Sequence, residues 1–270
     1  MGHAKRSLSQ NFLVDPNIRR KLVSELEADC DDAVLEVGPG HGELTDLLAG
    51  RVRSLVVVEK DDRLAADLGT RFAGRADVSV IHGDALDLDL AAIPGYDGRR
   101  RLISNVPYSI TSPLIFRFLD IRPAPVRMLL LVQREVAERI VASPCSRTYG
   151  ALTVGVQTRA SARIAFTVGR MAFRPVPGVE SAAVVVEPTG ELGPQVEEDL
   201  RTLTRIAFSM RRKQLGTILR SSPHYGLGRD LAEQVLSDVG VSPTARPETM
   251  APGAFLELSR RLRTLIGKTE

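Results

Sequence analysis

The chain has 270 residues, of which 43% are hydrophobic and 26% are charged, and this is the composition of an ordinary globular protein rather than a disordered one. Its net charge of +3 is only a weak indication of a polyanionic partner. The longest apolar stretch, 126–132, is interrupted by Arg127 and is too short to span a bilayer, and the first residues lack the apolar core of a signal peptide. We therefore expect a cytoplasmic protein that does not contact a membrane.

The predicted elements of the first half are strands that alternate with helices. Short apolar runs rich in β-branched residues predict strands at 33–37, 54–58, 78–81, 102–104 and 126–132. Apolar residues at helical spacing predict helices at 43–48, 63–72, 113–119 and 134–141, with Asp61 as a cap. This alternation is typical of an α/β fold with a doubly wound, mostly parallel sheet.

The pattern changes after Tyr149. It predicts a helix at 151–157, a strand at 163–168, a proline-rich loop at 173–178 and a last strand at 182–187. The two late strands have no helix between them, so we expect an antiparallel hairpin that closes the sheet. Pro188-Thr189-Gly190 then interrupts the chain, and only helical periodicity follows. We therefore predict one domain at 1–188 and a small all-α domain at 189–270.

Cysteine and histidine spacing gives no sign of a disulfide framework or a metal site. Cys30 and Cys145 are far apart in the sequence, and neither belongs to a CxxC pair. The four histidines show neither HxH nor HxxxH spacing. We expect no bound metal ion.

Four candidate site residues follow the first four predicted strands. They are Gly38, Glu59, Asp84 and Asn105. In an open parallel sheet, ligands bind beyond the carboxyl ends of the strands, so we expect these four to line one cleft. Taken singly, the glycine loop at 38–42 also fits an ordinary strand-to-helix turn, and Asp84 also fits the N-cap of a helix at 85–90.

The acid after the second strand indicates a nucleoside ligand. The Glu59 carboxylate can accept hydrogen bonds from both hydroxyls of a ribose, and Asp84 can accept one from an adenine amine. Glu43, directly after the glycine loop, would repel a pyrophosphate, which favours a nucleoside without phosphates over a dinucleotide. The simplest such cofactor is S-adenosylmethionine.

The segment Asn105-Val106-Pro107-Tyr108 is suited to holding a purine. The Asn105 side-chain oxygen and a backbone carbonyl of Val106 or Pro107 can accept the two N–H bonds of an adenine amine and turn its lone pair toward a methyl donor. Tyr108 can stack on one face of the base. An ordinary turn with a buried tyrosine is the alternative explanation.

With these features the chain resembles the small-subunit ribosomal RNA adenine dimethyltransferases of the KsgA type, a family similar to the erythromycin-resistance rRNA methyltransferases. The matching stretches are Gln10-Asn11-Phe12-Leu13, Glu36-Val37-Gly38-Pro39-Gly40, Glu59, Gly83-Asp84-Ala85, Asn105-Val106-Pro107-Tyr108, Gln133-Arg134-Glu135-Val136-Ala137, Phe173-x-Pro175-x-Pro177 and Val179-Glu180-Ser181-Ala182. The resemblance implies a Rossmann-like methyltransferase domain that uses S-adenosylmethionine to methylate N6 of two adjacent adenosines, twice each, near the 3′ end of small-subunit rRNA.

The resemblance also implies roles for further residues. Asn11 and Leu13 would help close the cofactor site, and Phe173 would hold the face of the target base opposite Tyr108. On the residues alone, a phenylalanine before a proline-rich loop is more often a core side chain. Ser109 departs from the family pattern, which commonly has asparagine there, and adjoins the catalytic turn.

The C-terminal segment is the basic part of the chain. Residues 201–270 hold 12 Lys or Arg and 6 Asp or Glu, and Arg211, Arg212 and Lys213 form the densest cluster. This segment resembles the helical domain of KsgA-type enzymes. We expect the three side chains to bind rRNA phosphates on immature small ribosomal subunits, with an affinity that falls as salt rises. The alternative is a solvated helix face.

We expect the protein to act as a monomer. Two other functions are compatible with the sequence. One is methylation of large-subunit rRNA, which confers macrolide resistance; the C-terminal residues argue against it. The other is an assembly factor that acts mainly by binding the immature small subunit.

Overall fold

The computed structural model describes residues 11–105 and 110–266. Within these residues the helices and strands are β1 (Phe12–Leu13), α1 (Pro16–Leu26), β2 (Asp32–Val37), α2 (Thr45–Leu48), β3 (Ser54–Glu59), α3 (Asp62–Phe72), β4 (Val78–His82), β5 (Arg99–Asn105), α4 (Thr111–Leu119), β6 (Arg127–Gln133), α5 (Arg134–Ile140), α6 (Ala151–Gln157), β7 (Ala160–Val168), β8 (Phe173–Arg174), β9 (Ser181–Pro188), α7 (Pro194–Ser209), α8 (Leu215–Ser221), α9 (Arg229–Asp238) and α10 (Pro252–Ile266). The chain divides into two compact units. The sheet unit is Met1–Ala137 with Ser161–Thr189, and the helical unit is Glu138–Ala160 with Gly190–Glu270.

The sheet unit is built on seven strands of the described chain, in the order β4-β3-β2-β5-β6-β9-β7. The pairs β4–β3, β3–β2, β2–β5 and β5–β6 are parallel, whereas β9 runs antiparallel to β6. Every residue of β2 is buried, as expected for a parallel sheet that is covered on both faces. This confirms the predicted α/β fold with a mostly parallel sheet and a late antiparallel strand.

The winding of this sheet reverses beside β2. The chain runs outward from β2 through β3 to β4 and then returns to place β5 on the other side of β2. In open α/β sheets, ligands bind at such a switch point, beyond the carboxyl ends of the strands. The topology therefore marks the ends of β2 and β5 as the place to look for a site.

Strand β5 begins at Arg99, three residues before the predicted strand. The arginines 99–101 lack the apolar pattern that predicts a strand, yet Arg101 is only 4% exposed. Its Nε donates to Asp32 Oδ2 at 2.6 Å, and its Nη1 donates to the Leu26 carbonyl at 2.7 Å. Because these partners satisfy the buried guanidinium, the strand continues through charged residues.

A second, two-stranded sheet was not predicted: β8 begins the segment predicted as a loop, and no element was predicted at β1. β1 pairs antiparallel with β8, and Leu13 lies opposite Phe173. Each strand has only two residues, so neither has a hydrophobic period that could predict it. The pairing brings the segment after residue 10 into the core of the sheet unit.

The helical unit includes a segment that the sequence prediction assigned to the first domain. Residues 138–160 belong to the same unit as the chain from Gly190 onward. Tyr149 is fully buried in the helical core and its hydroxyl donates to the Met250 carbonyl at 2.6 Å. Arg159 pairs with Glu197 at 2.9 Å. Met250 and Glu197 lie about 100 and 40 residues after their partners in the sequence. The predicted domain boundary was placed from the turn-forming residues Pro188-Thr189-Gly190, and such a local signal does not indicate contacts of this range.

Of the described helices, none is long and apolar enough to cross a membrane.

Candidate functional site

The ends of β2, β3, β4 and β5 meet at one edge of the sheet unit. The Gly38 N–H donates to the Val58 carbonyl at 2.9 Å, and the Gly83 N–H donates to the Glu59 carbonyl at 2.9 Å. These bonds tie together the ends of the three strands β2, β3 and β4, while β5 lies on the other side of β2. The four residues that the sequence places after strands therefore lie at neighbouring strand ends.

The glycine loop after β2 needs glycine for its backbone conformation. Gly38 and Gly40 have φ angles of +71° and +62°, which other residues adopt only with strain. A Cβ atom on Gly40 would lie 2.8 Å from the Phe12 ring, and one on Gly38 would lie 3.6 Å from the Asn105 carbonyl oxygen. The loop thus turns sharply, leaves its backbone accessible, and packs beneath Phe12.

The Glu59 carboxylate binds the backbone of the glycine loop. Its Oε2 accepts a hydrogen bond from the Gly40 N–H at 3.2 Å, and its Oε1 accepts one from the Asp61 N–H at 2.8 Å. Burial raises the pKa of Glu59, and these backbone hydrogen bonds oppose the rise. A third backbone hydrogen bond, from Lys60, also acts on Glu59. Because a carboxylate has about four acceptor sites, it can still accept a hydrogen bond from a ligand hydroxyl.

Asp84 lies in a turn that follows β4. Residues 85–90 form no helix, so Asp84 is not the N-cap of one. Its Oδ1 accepts from the Leu86 N–H at 2.9 Å, and its Oδ2 accepts from Lys60 Nζ at 2.5 Å. Partial burial would raise the pKa of Asp84, but the hydrogen bonds from Lys60 and Leu86 outweigh it and lower the pKa. Lys60 was not among the predicted site residues. Its position directly after Glu59 is the one feature of the sequence that could have indicated a role at the site.

Asn105 ends β5 beside the glycine loop. Its Nδ2 donates to the Asn11 carbonyl at 3.1 Å, which joins the predicted cofactor-closing segment to the predicted catalytic residue. This bond orients the amide, and Oδ1, its acceptor atom, can take a hydrogen bond from a ligand amine. Pro107 and Tyr108, which complete the predicted catalytic turn, lie outside the described residues.

Leu13 and Phe173 are core residues of the sheet unit, with 4% and 1% exposure. The Leu13 carbonyl accepts hydrogen bonds from Arg19 Nε and Nη2 at 2.9 and 2.6 Å. The burial of Phe173 fits the core side chain that the residues alone favour. Phe173 lies opposite Leu13 in the β1–β8 pair, and both belong to one hydrophobic cluster. Its contact with a base stays a prediction.

Glu36 is a further buried carboxyl for which the sequence analysis had no role. It is 2% exposed, and its Oε2 accepts from Thr45 Oγ1 at 2.7 Å. Burial raises the pKa of Glu36 to about 8; the Thr45 hydrogen bond opposes the rise, and Glu43 and Asp46 add to it. The Glu36–Thr45 bond joins β2 to the start of α2, the two elements that flank the glycine loop.

The three basic residues predicted to bind RNA are not equivalent. Arg211 Nε donates to Glu248 Oε2 at 2.6 Å, and its Nη1 and Nη2 donate to backbone carbonyls at 3.0 and 3.1 Å, those of Arg147 and Ser146. Arg211 therefore connects separate segments within the helical unit. No local sequence pattern predicts this role. Arg212 and Lys213 are exposed.

Comparisons with known proteins agree with the resemblance in the sequence. The profile of the family described as "Ribosomal RNA adenine dimethylase" matches residues 1–262. The "Ribosomal RNA small subunit methyltransferase A" of Geobacter metallireducens is 38% identical over 98% of both chains. The protein of the same name from Chlorobium limicola is 41% identical over 81% of each chain.

Two solved structures share the fold over nearly the whole chain. A dimethyladenosine transferase from Plasmodium falciparum has a TM-score of 0.78 and 26% identity, with 92% of this chain and 95% of that chain covered. The 23S rRNA methyltransferase ErmE has a TM-score of 0.69 and 27% identity, with 93% of this chain and 99% of that chain covered. Together with the family profile and the curated relatives, they show that this chain belongs to the ribosomal RNA adenine dimethylase family of methyltransferases.

Proposed function

We propose that this chain uses S-adenosylmethionine to dimethylate N6 of two adjacent adenosines near the 3′ end of small-subunit rRNA, acting as a monomer on immature small ribosomal subunits. The names of its relatives support the substrate, and the family description supports the adenine as the target. The observation that carries the proposal is the convergence of four strand ends, each with a residue suited to part of the cofactor or target, at the switch point of the sheet.

The residues at these strand ends fit S-adenosylmethionine. The positive φ angles at Gly38 and Gly40 leave a loop in which a ligand can approach the backbone closely. The Glu59 carboxylate accepts hydrogen bonds from the ribose hydroxyls, and Asp84 keeps a lone pair for the adenine amine. When bound, the cofactor supplies an electrophilic methyl group on a cationic sulfonium.

Asn105 orients the nucleophile. Its Oδ1 accepts one hydrogen of the target amine, and the bond from its Nδ2 to the Asn11 carbonyl keeps the amide from rotating. The amine lone pair is thereby turned out of conjugation with the ring and toward the methyl group. In this orientation the lone pair would attack the methyl group that the cofactor supplies, the demethylated cofactor would be the leaving group, and the alkylated amine would release its proton to solvent. Positioning and hydrogen bonding supply most of the rate enhancement.

The remaining contacts to RNA are proposed from the sequence. The carbonyl of Val106 or Pro107 accepts the second amine hydrogen, and Tyr108 stacks on the base. Phe173 touches that base only if its ring becomes uncovered, since it is buried in the core. Arg212 and Lys213 on the helical unit contact rRNA phosphates.

The test is incubation of the protein with labelled S-adenosylmethionine and unmethylated small subunits, followed by nucleoside analysis. The proposal predicts N6,N6-dimethyladenosine in small-subunit rRNA and none in large subunits treated in parallel. Asn105→Ala should abolish transfer while calorimetry still detects cofactor binding, because Glu59 and Asp84 are unchanged. Asn17→Ala is the matched control, since Asn17 is an exposed asparagine on α1.

Two results would redirect the proposal. Label in large-subunit rRNA alone would favour the macrolide-resistance activity. Normal ribosome maturation supported by the inactive Asn105→Ala protein would favour a binding role as the main function.

A further inference from the structure

An ion pair at the rim of the cofactor site joins two neighbouring strand ends. Lys60 directly follows β3 and Asp84 lies just beyond β4, and the two strands are paired up to Glu59 and His82. Lys60 Nζ lies 2.5 Å from Asp84 Oδ2. The lysine side chain is 56% exposed, whereas the aspartate side chain is only 17% exposed. The cation therefore reaches from solvent onto a largely covered carboxylate.

The Asp84 carboxylate is held from two directions. The Leu86 N–H donates to Oδ1 at 2.9 Å, and Lys60 donates to Oδ2. Asp87 is the other charged side chain that acts on Lys60. With one donor on each oxygen the carboxylate plane is fixed, and each oxygen keeps a lone pair for a ligand.

We propose that Lys60 is a positioning residue for the adenine of the cofactor, because it holds the Asp84 carboxylate in the orientation that accepts a hydrogen bond from the 6-amino group. The inference rests on the proposed function, since it concerns the same cofactor. The Lys60–Asp84 ion pair also favours a purine with a 6-amino group over one with a 6-oxo group. An ionised carboxylate attracts an amine and repels a 6-oxo group, and a lysine bound to Asp84 cannot turn to bind that oxo group instead.

The test measures binding rather than turnover. Calorimetry on the full chain compares S-adenosylhomocysteine with S-inosylhomocysteine, which carries an oxo group in place of the amine. Lys60→Met should weaken adenosyl binding about two- to fivefold, as expected for an exposed ion pair, without weakening inosyl binding, so that selectivity falls. Lys60→Arg should restore selectivity because it keeps the cation.

Two further measurements separate positioning from a general structural effect. In an Asp84→Asn background, Lys60→Met should change selectivity no further, because the partner of the lysine is gone. The loss in Lys60→Met should also grow as the pH is lowered toward about 4, because without the cation the pKa of Asp84 rises toward its ordinary value of 3.8 and the carboxylate becomes protonated. Lys21→Met is the control, since Lys21 is exposed and lies against Phe166 on β7, at the opposite edge of the sheet.

Four results would overturn the inference. Unchanged binding of both ligands by Lys60→Met would mean that the lysine positions nothing, and equal weakening of both would indicate a structural role only. Tighter adenosyl binding by Lys60→Met would mean that the lysine competes with the adenine, and an undiminished effect in the Asp84→Asn background would exclude action through Asp84. If the wild-type protein bound neither ligand, the proposed cofactor itself would be refuted, which is a separate outcome.

Discussion

Replacing Glu36 with glutamine keeps an acceptor for the Thr45 hydroxyl but removes an ionisable group from the core. Burial raises the pKa of Glu36 to about 8 in the folded chain, against an ordinary value of 4.5. Between these two values the folded chain holds a proton that the unfolded chain has lost. The contribution of Glu36 to the free energy of unfolding therefore declines as the pH rises through this range. A glutamine contributes no such decline.

The size of the effect follows from the width of this pH window. One group that is protonated only in the folded state changes the free energy of unfolding by about 1.4 kcal/mol per pH unit. Raising the pH from about 5.5 to about 7.5 should therefore lower the free energy of unfolding of the wild type by up to about 3 kcal/mol. Glu36→Gln should not show this decrease. For a domain of this size that difference corresponds to roughly 5 to 10 °C in Tm.

The assay is thermal unfolding of both proteins across this pH range, followed by circular dichroism. Glu135→Gln, at an exposed position on α5, should keep the pH dependence of the wild type. Thr45→Val should lower stability at every pH by about 1–3 kcal/mol, because it removes a buried hydrogen-bond donor. Parallel pH curves for wild type and Glu36→Gln would refute the argument that Glu36 is protonated in the fold.

Three other substitutions test the remaining structural arguments. Phe173→Ala should lower the free energy of unfolding by about 3–5 kcal/mol, and Phe173→Leu by less, in urea titrations; equal stability of the two would contradict the burial of this ring. Arg101→Met should cost up to about 3–5 kcal/mol in the same assay, because the buried Asp32 then keeps only Arg99, at 3.2 Å, as an arginine partner, and a neutral result would mean that Arg101 is not required. Arg211→Ala should lower Tm with little change in the salt dependence of rRNA binding, whereas Arg212→Ala with Lys213→Ala should reduce the salt slope by roughly one to two units; the opposite pattern in filter-binding experiments would restore Arg211 as an RNA contact.

Much of the fold and of the candidate site could be predicted from the sequence because their signals are local. Asp61 was predicted as a helix cap, and its carboxylate accepts hydrogen bonds from the N–H groups of Arg63 and Leu64. Helix α6 has the predicted bounds of 151–157. Gly38 and Glu59 were placed at strand ends because an apolar β-branched run stops there, and the parallel sheet then requires those ends to lie on one edge. The role of each residue in catalysis or binding stays a prediction for the experiments above.

The sequence by itself determined the order of strands and helices, the polar or glycine residue at each strand end, and the family. Each of these depends on short-range periodicity or on a contiguous motif. Only the tertiary structure decided that β1 pairs with β8, that Arg99–Arg101 continue β5, that Arg211 braces its own unit, and that Lys60 and Asp84 form one rim. In every such case the deciding partner lies far away in the sequence, and the energy of a buried or paired polar group depends on what the fold places beside it.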